Sequence, residues 1–226
     1  MAACVTINRR GAALTQGIVV TVHGLYGGRA PLLPMEACVR ACDTHELAPF
    51  RYEPRHQTLA TSGQALAEFL RTRKPHTTDD SVHFITYDYG ALVLREAFRH
   101  VDWNQTRSKV IMLTPPNRGI KYYRSMRHHV GFAGYGGVAA DELAQWTSED
   151  LDTRLGKLPR RCYPLVIAGS LCLNPFNQGN YPNDGIVMVE ETELPGEFRH
   201  DVLAGTHYTL PFHPQMLWRA MSFLNA

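Results

Sequence analysis

The residues able to move protons are concentrated in a few short loops. His23-Gly-Leu-Tyr-Gly-Gly28, Thr86-Tyr-Asp-Tyr-Gly90 and Gly205-Thr-His-Tyr208 each follow a run that reads as β-strand, and Asn183-Asp-Gly185 stands shortly before the last of them. Together they carry an aspartate in a tight turn, a second aspartate and an imidazole. A carboxylate beside an imidazole and a dipole-rich loop is sufficient equipment for general acid or base chemistry. The residue types also admit plainer roles. An aspartate in a strand-to-helix turn is commonly an N-cap, Asn-Asp-Gly is by itself a turn signal, and His23 is expected to brace its own loop. Of the eleven histidines most, including His45, His56, His76 and His100, are expected at the surface. His128 and His129 are adjacent, with no carboxylate at a supporting spacing, so no metal site is expected.

The elements that must position these loops alternate along the chain. Gly17–Val22 reads as a buried strand, and a helix follows from Pro34 to about His45. Phe50-Arg-Tyr-Glu is a candidate strand, and the helix that opens at Thr61-Ser62 takes Ser62 as its N-cap. Val82–Thr86 is strand-like, with a helix over Gly90–Phe98 only a few residues later. Lys109–Thr114 is a further buried strand, closed by Pro115-Pro116. Residues 117–163 are the least regular portion, with a helix around Asp141–Trp146, and are taken for a substrate cover. Leu165–Ala168 and Asp201–Ala204 read as strands, Gly185–Val189 as a short extended piece, and Pro214–Leu224 as a terminal helix. Such alternation predicts a mostly parallel sheet with helices on both faces, because parallel strands need crossover connections. Only sixteen residues precede the first clear strand, so a minimal sheet of about six strands is expected.

Bulk properties narrow the class of protein. A chain of 226 residues, 44% hydrophobic and 19% charged, is expected to form one globular domain over 1–226. A net charge of +2 without a basic run argues against nucleic acid as a partner. No apolar run approaches the ~18 residues of a membrane span, so integral membrane association is not expected. Five cysteines (Cys4, Cys38, Cys42, Cys162 and Cys172) form no CxxC pair, which favours free thiols in a reducing compartment and a cytoplasmic location. A secreted form whose signal had been removed would read the same.

The loops resemble those of the small lipase-like α/β-hydrolases along nearly the whole chain. Five segments carry the resemblance: His23-Gly-Leu-Tyr-Gly27, Gly90-Ala-Leu-Val-Leu-Arg95, Leu113-Thr-Pro-Pro-Asn-Arg-Gly119, Asn183-Asp-Gly185 and Thr206-His207. Any one occurs by chance, but the five stand in the family's order. The resemblance implies a three-layer α/β-hydrolase fold and a triad in the order nucleophile, acid, base, falling on Asp88, Asp184 and His207. It implies an oxyanion hole from the backbone N–H groups of Leu25 and Tyr89, with His23 and Tyr26 in the same substrate-facing loop. It also implies a hydrolase acting on a small to medium apolar, ester-like substrate, without a cofactor.

The chain departs from the family at the centre of the elbow. Where the pattern has serine, Thr86-Tyr-Asp-Tyr-Gly90 has Asp88. A carboxylate attacking an ester would form a high-energy anhydride, so three readings stand open. Asp88 is a nucleophile toward saturated carbon, with His207 activating water and a cover tyrosine (Tyr122, Tyr123 or Tyr135) available to an epoxide oxygen. Alternatively, Asp88 and His207 act as acid and base in a non-covalent lyase or cyclase reaction. In the third reading the site binds an ester-like ligand without turnover.

Overall fold

The computed structural model describes residues 17–73, 81–128, 132–177 and 181–226. Cys4, His76 and His129 fall outside that range, as do residues 1–16 and the side chain of Tyr135. Six strands, β1 (Ile18–Val22), β2 (Glu46–Phe50), β3 (Val82–Tyr87), β4 (Ser108–Leu113), β5 (Cys162–Gly169) and β6 (Arg199–Leu203), form one sheet in the order β2-β1-β3-β4-β5-β6. Every neighbouring pair is parallel. The expected minimal α/β sheet is therefore present, and all strand ends that lead into the chemistry-bearing loops lie along one rim.

Side-chain alternation along each strand builds two cores. Val20, Phe84, Val110, Met112 and Val166 face one side, while Val19, Ile85, Ile111, Leu165 and Ile167 face the other. Helices α1 (Leu33–Cys42) and α7 (Pro214–Asn225) cover the second side through Met35, Val39, Met216 and Ala220. The first side is covered by α2 (Leu59–Arg71), α3 (Gly90–Ala97), α4 (Lys121–Met126), α5 (Phe132–Gln145) and α6 (Ser148–Leu155). Among the described residues no helix is long and apolar enough to cross a membrane.

Several boundaries differ from expectation, each for a local reason. The second strand ends at Phe50 instead of beginning there, because Ile18–Val22 pairs in register with Glu46–Phe50. Pro49 is tolerated because β2 is an edge strand, where a missing N–H need not face a neighbour. Helix α2 is capped by Thr58, whose side chain accepts from the Thr61 N–H, and Ser62 is buried inside the helix. Residues 185–189 form no sheet strand; Asn183 bridges Met188 and the chain continues as a 3-10 turn over Val189–Thr192. His45 is buried with its ring 5.3 Å from that of His83, not at the surface. The described residues of the 117–163 segment form three helices where one was expected, and α5 is broken at Gly137, whose φ of 70° and ψ of −168° leave the helical region.

One buried cation ties that segment to the helix after the elbow. Arg95, on α3, donates to the Asn117 carbonyl at 3.0 Å and to the Gly156 carbonyl, just beyond α6, at 3.0 Å. Burial pushes its pKa down to about 10 while Asp152 opposes the change. Charge-assisted bonds of this kind contribute more than neutral ones, and their loss strands buried acceptors. Arg95→Met is expected to lower stability by about 3 kcal/mol. Denaturant unfolding checks the magnitude, and amide exchange should quicken over 117–156 before the strands are affected.

Candidate active site at the carboxyl rim of the sheet

Asp88 stands at the corner between β3 and α3 with φ of 50°, in the left-handed region. Such a residue is strained by roughly 1–2 kcal/mol, and strain of this kind concentrates at functional sites. The corner is held by the Asp88 N–H donating to the Leu113 carbonyl at 2.9 Å. Two glycines permit the close approach. A Cβ on Gly90 would meet the Val22 carbonyl oxygen at 2.4 Å, and a Cβ on Gly24 would meet Oδ2 of Asp88 at 2.7 Å.

The carboxylate is gripped from one side. The Leu25 N–H donates to Asp88 Oδ2 at 2.9 Å, and the Tyr89 N–H also bonds the carboxylate. The two backbone groups that the sequence points to as oxyanion donors thus hold the protein's own aspartate. Oδ1 faces His207, whose Nε2 is 3.8 Å away, beyond direct hydrogen-bond range. On the other side of the imidazole, Nδ1 is 2.8 Å from Asp184 Oδ2. Asp88, Asp184 and His207, far apart in the chain, are brought together and are all buried.

Each partner is itself fixed. Asp184 Oδ1 accepts from the N–H groups of Ile186 and Val187 at 2.9 and 2.8 Å, so it closes its own turn and orients the histidine at once. The His207 N–H donates to the Asp184 carbonyl at 2.8 Å, and the Tyr87 hydroxyl donates to the His207 carbonyl at 3.1 Å. His23 stacks on Tyr52 with centroids 4.4 Å apart, and the Tyr52 hydroxyl donates to the His23 carbonyl at 2.8 Å. It braces the loop without reaching the carboxylate. Tyr26 hydrogen bonds to Tyr123. Beyond that loop, Glu36 accepts from Thr21 at 2.7 Å and pairs with Arg29. Sequence reading missed Tyr52, Tyr87 and Glu36, and it offered Tyr123 only as one of several cover tyrosines. The aromatic directly before Asp88, at the end of an inward-facing strand, is the one signal that could have marked Tyr87.

The electrostatics follow from burial. Desolvation raises Asp88 above the usual carboxylate range, opposed by His207 and by the Leu25 and Tyr89 N–H groups. Burial also opposes charge on His207, yet Asp184, by its charge and its hydrogen bond, and then Asp88 lift the imidazole above its ordinary value. The Tyr123 phenol is raised by burial, then by Tyr26 and Asp88. The arrangement can store one proton between two carboxylates and an imidazole, and it presents one carboxylate oxygen bound and the other turned to a base.

Clefts open on either side of this group. One, of about 430 Å³, is lined by His23, Leu25, Tyr52 and residues of the two flanking loops, Arg29, Arg51 and Arg55 among them. The other, of about 400 Å³, is lined by Leu173, Asn174, Asp184, Ile186, Thr206 and Tyr208.

No protein-family model and no curated protein matches this chain by sequence. Solved structures do match by shape. The mature lipase BlEst2 of Bacillus licheniformis superposes with a TM-score of 0.71 at 17% identity, over 94% of this chain and 93% of that one. Phospholipase PlaB of Legionella pneumophila gives 0.68 at 16% identity, over 92% of this chain and 59% of that one. The metagenomic carboxyl esterase MGS0156 gives 0.64 at 15% identity, over 95% and 77%. The chain has the α/β-hydrolase fold.

An imidazole more basic in the fold than in the unfolded chain stabilises fully below about pH 6.5, and that contribution is lost as pH rises through the folded-state value. The stability advantage of the wild type over His207→Gln is therefore expected to narrow as pH rises above about 6.5. Urea unfolding across that window checks it, and a constant gap would mean that the histidine is not raised.

Proposed function

We propose that this α/β-hydrolase-fold protein is a hydrolase in which Asp88 acts as a nucleophile toward saturated carbon. The observation that carries the reading is the asymmetric hold on the carboxylate: Oδ2 bonded by the Leu25 N–H, Oδ1 turned to His207. Attack by Oδ1 on an epoxide or haloalkane carbon forms an alkyl ester and either opens the ring to a tethered alkoxide that takes its proton from water or expels halide. The carbonyl oxygen of that ester is Oδ2, already bonded by the Leu25 N–H. Water then gives its proton to His207 Nε2 and adds to Cγ of Asp88. The resulting oxyanion on Oδ2 is held by the Leu25 N–H, and collapse expels the alkoxide, which takes the proton back from His207 and leaves as the alcohol. Asp184 steadies the imidazolium throughout.

Serine-esterase chemistry fits the site less well, since the donors that an ester carbonyl would need are taken by Asp88. That occupation, together with the burial of Asp88 and His207, also favours a second reading in which the fold binds its ligand without turnover.

The expected result for His207→Ala is an alkyl adduct on Asp88 that accumulates after exposure to an epoxide or haloalkane panel and is read by intact-protein mass spectrometry. In the wild type, a single turnover in ¹⁸O water should leave the label in the protein and an unlabelled oxygen in the product alcohol. Turnover without an adduct would move the site to non-covalent acid and base catalysis, and ligand binding with no turnover would leave the second reading. Asp88→Ser vacates the Leu25 and Tyr89 donors and is expected to raise p-nitrophenyl ester hydrolysis by roughly 100-fold.

A further inference from the structure

We infer that the outer edge of β6 is a self-association surface whose partner is the same strand of a second copy, running antiparallel about a twofold axis at His200. The surface is independent of the reaction proposed at Asp88. Among the described residues β2 and β6 end the sheet, and the two edges differ. Glu46 donates its N–H to the Gly17 carbonyl, so alternation turns Pro49 outward and removes a donor from the β2 edge. Arg199–Leu203 contains no proline. The Leu203 carbonyl accepts from the Ser170 N–H at 2.9 Å, so Leu203 turns to β5, as do Asp201 and Arg199 by alternation. The N–H and C=O groups of His200 and Val202 therefore face outward, a ready template for another strand. Val202 is 46% exposed, so its face of the strand is open as well.

The side chains select a second copy as the occupant. In an antiparallel pair centred on His200, Arg199 stands opposite the partner's Asp201, and Val202 opposite the partner's Phe198. These pairs lie on separate faces. Asp201 meets Arg199 at 3.2 Å and Arg219 at 2.9 Å on the α7 side, whereas Phe198 packs toward the other core with its ring 5.6 Å from that of His200. The twofold thus sets cation against anion and apolar group against apolar group. No other register of outward-facing residues opposes positions 199 and 201. At the axis, burial holds the His200 imidazole below its ordinary range, so two neutral rings meet at pH 7.5. Antiparallel pairing sends the two carboxyl rims to opposite edges of the joined sheet, so neither copy covers the other's Asp88. One short strand buries less than a standard interface, and the dimer is accordingly weak, with a dissociation constant of about 10–100 μM.

Sedimentation velocity on the full chain at pH 7.5, from ~1 to ~500 μM, is expected to show a reversible monomer–dimer equilibrium and no larger species, because an isologous interface closes at two copies. Arg199→Glu sets acid against acid and should weaken the dimer at least ~10-fold, and Asp201→Arg should do the same with cations. An equimolar mixture of these two variants restores opposite charges at both positions. It should form the heterodimer, identified by its mass in native mass spectrometry. Val202→Pro removes one outward donor without touching a bond to β5, and is expected to abolish association while circular dichroism shows the fold retained. It decides the matter if Asp201→Arg, which also loses the Arg219 pair, fails to fold. A monomer at every concentration, species larger than a dimer, a dimer that survives Arg199→Glu or Val202→Pro, or folded charge variants that stay apart when mixed would each overturn the inference.

Discussion

A carboxylate withdrawn from water is costly unless hydrogen-bond donors replace its hydration, and the rim of this sheet is organised around that requirement. Asp88 is held by the Leu25 and Tyr89 N–H groups, one from the loop after β1 and one from the first turn of α3. The bond to Leu25 spans 63 residues of sequence and exists only if β1 and β3 are neighbours in register. The grip also divides the two oxygens of one side chain into one held by the main chain and one turned to the imidazole, which is the asymmetry any chemistry at this corner inherits.

The remainder of the fold reads as support for that corner. Parallel pairing sends each strand's carboxyl end to the same side, so an aspartate after β3, another after β5 and a histidine after β6 converge without any one segment carrying the site. Tyr52 and Glu36 steady the neighbouring loop from β2 and α1, and Tyr87 fixes the histidine's main chain from β3. Arg95 fastens the three helices of the 117–156 region to the helix that begins at the corner. Motions of that region are thereby linked to α3, and bonds from Asn117 and Lys121 to Thr192 and Glu191 link them also to the segment that follows the acid loop.

What was legible in the sequence was what depends on local pattern. Ile18–Val22, Val82–Tyr87 and Ser108–Leu113 are β-branched, apolar and buried, and their pattern reveals them without reference to partners. Asp88, Asp184 and His207 were found because five short segments, in order, resemble those of the small lipase-like α/β-hydrolases, and that resemblance implies a nucleophile, an acid and a base at these positions. Contacts decided by distant partners were not legible. Glu46–Phe50 is a strand because β1 offers it a register, and Pro49 disguises it. Ser62 looks like a cap, but Thr58 caps α2 one turn earlier, where the Leu59 N–H also bonds the distant Glu142 carboxylate. The aspartate's capture of its own donors was hidden for the same reason, since the distance between residues 25 and 88 belongs to the fold alone.

The narrow fit between Gly24 and the Asp88 side chain bears on the order in which such a site can change through descent. A methyl group at position 24 collides with both the Cβ and the carboxylate oxygen of residue 88, so the two positions are not independent. Replacement of the aspartate by a smaller residue removes only the collision with oxygen, and only glycine at 88 clears both. Position 24 is consequently frozen for as long as 88 bears a side chain. A lineage can exchange nucleophiles at 88 by single steps, but it cannot rebuild the opposing loop at 24 without first giving up the nucleophile altogether.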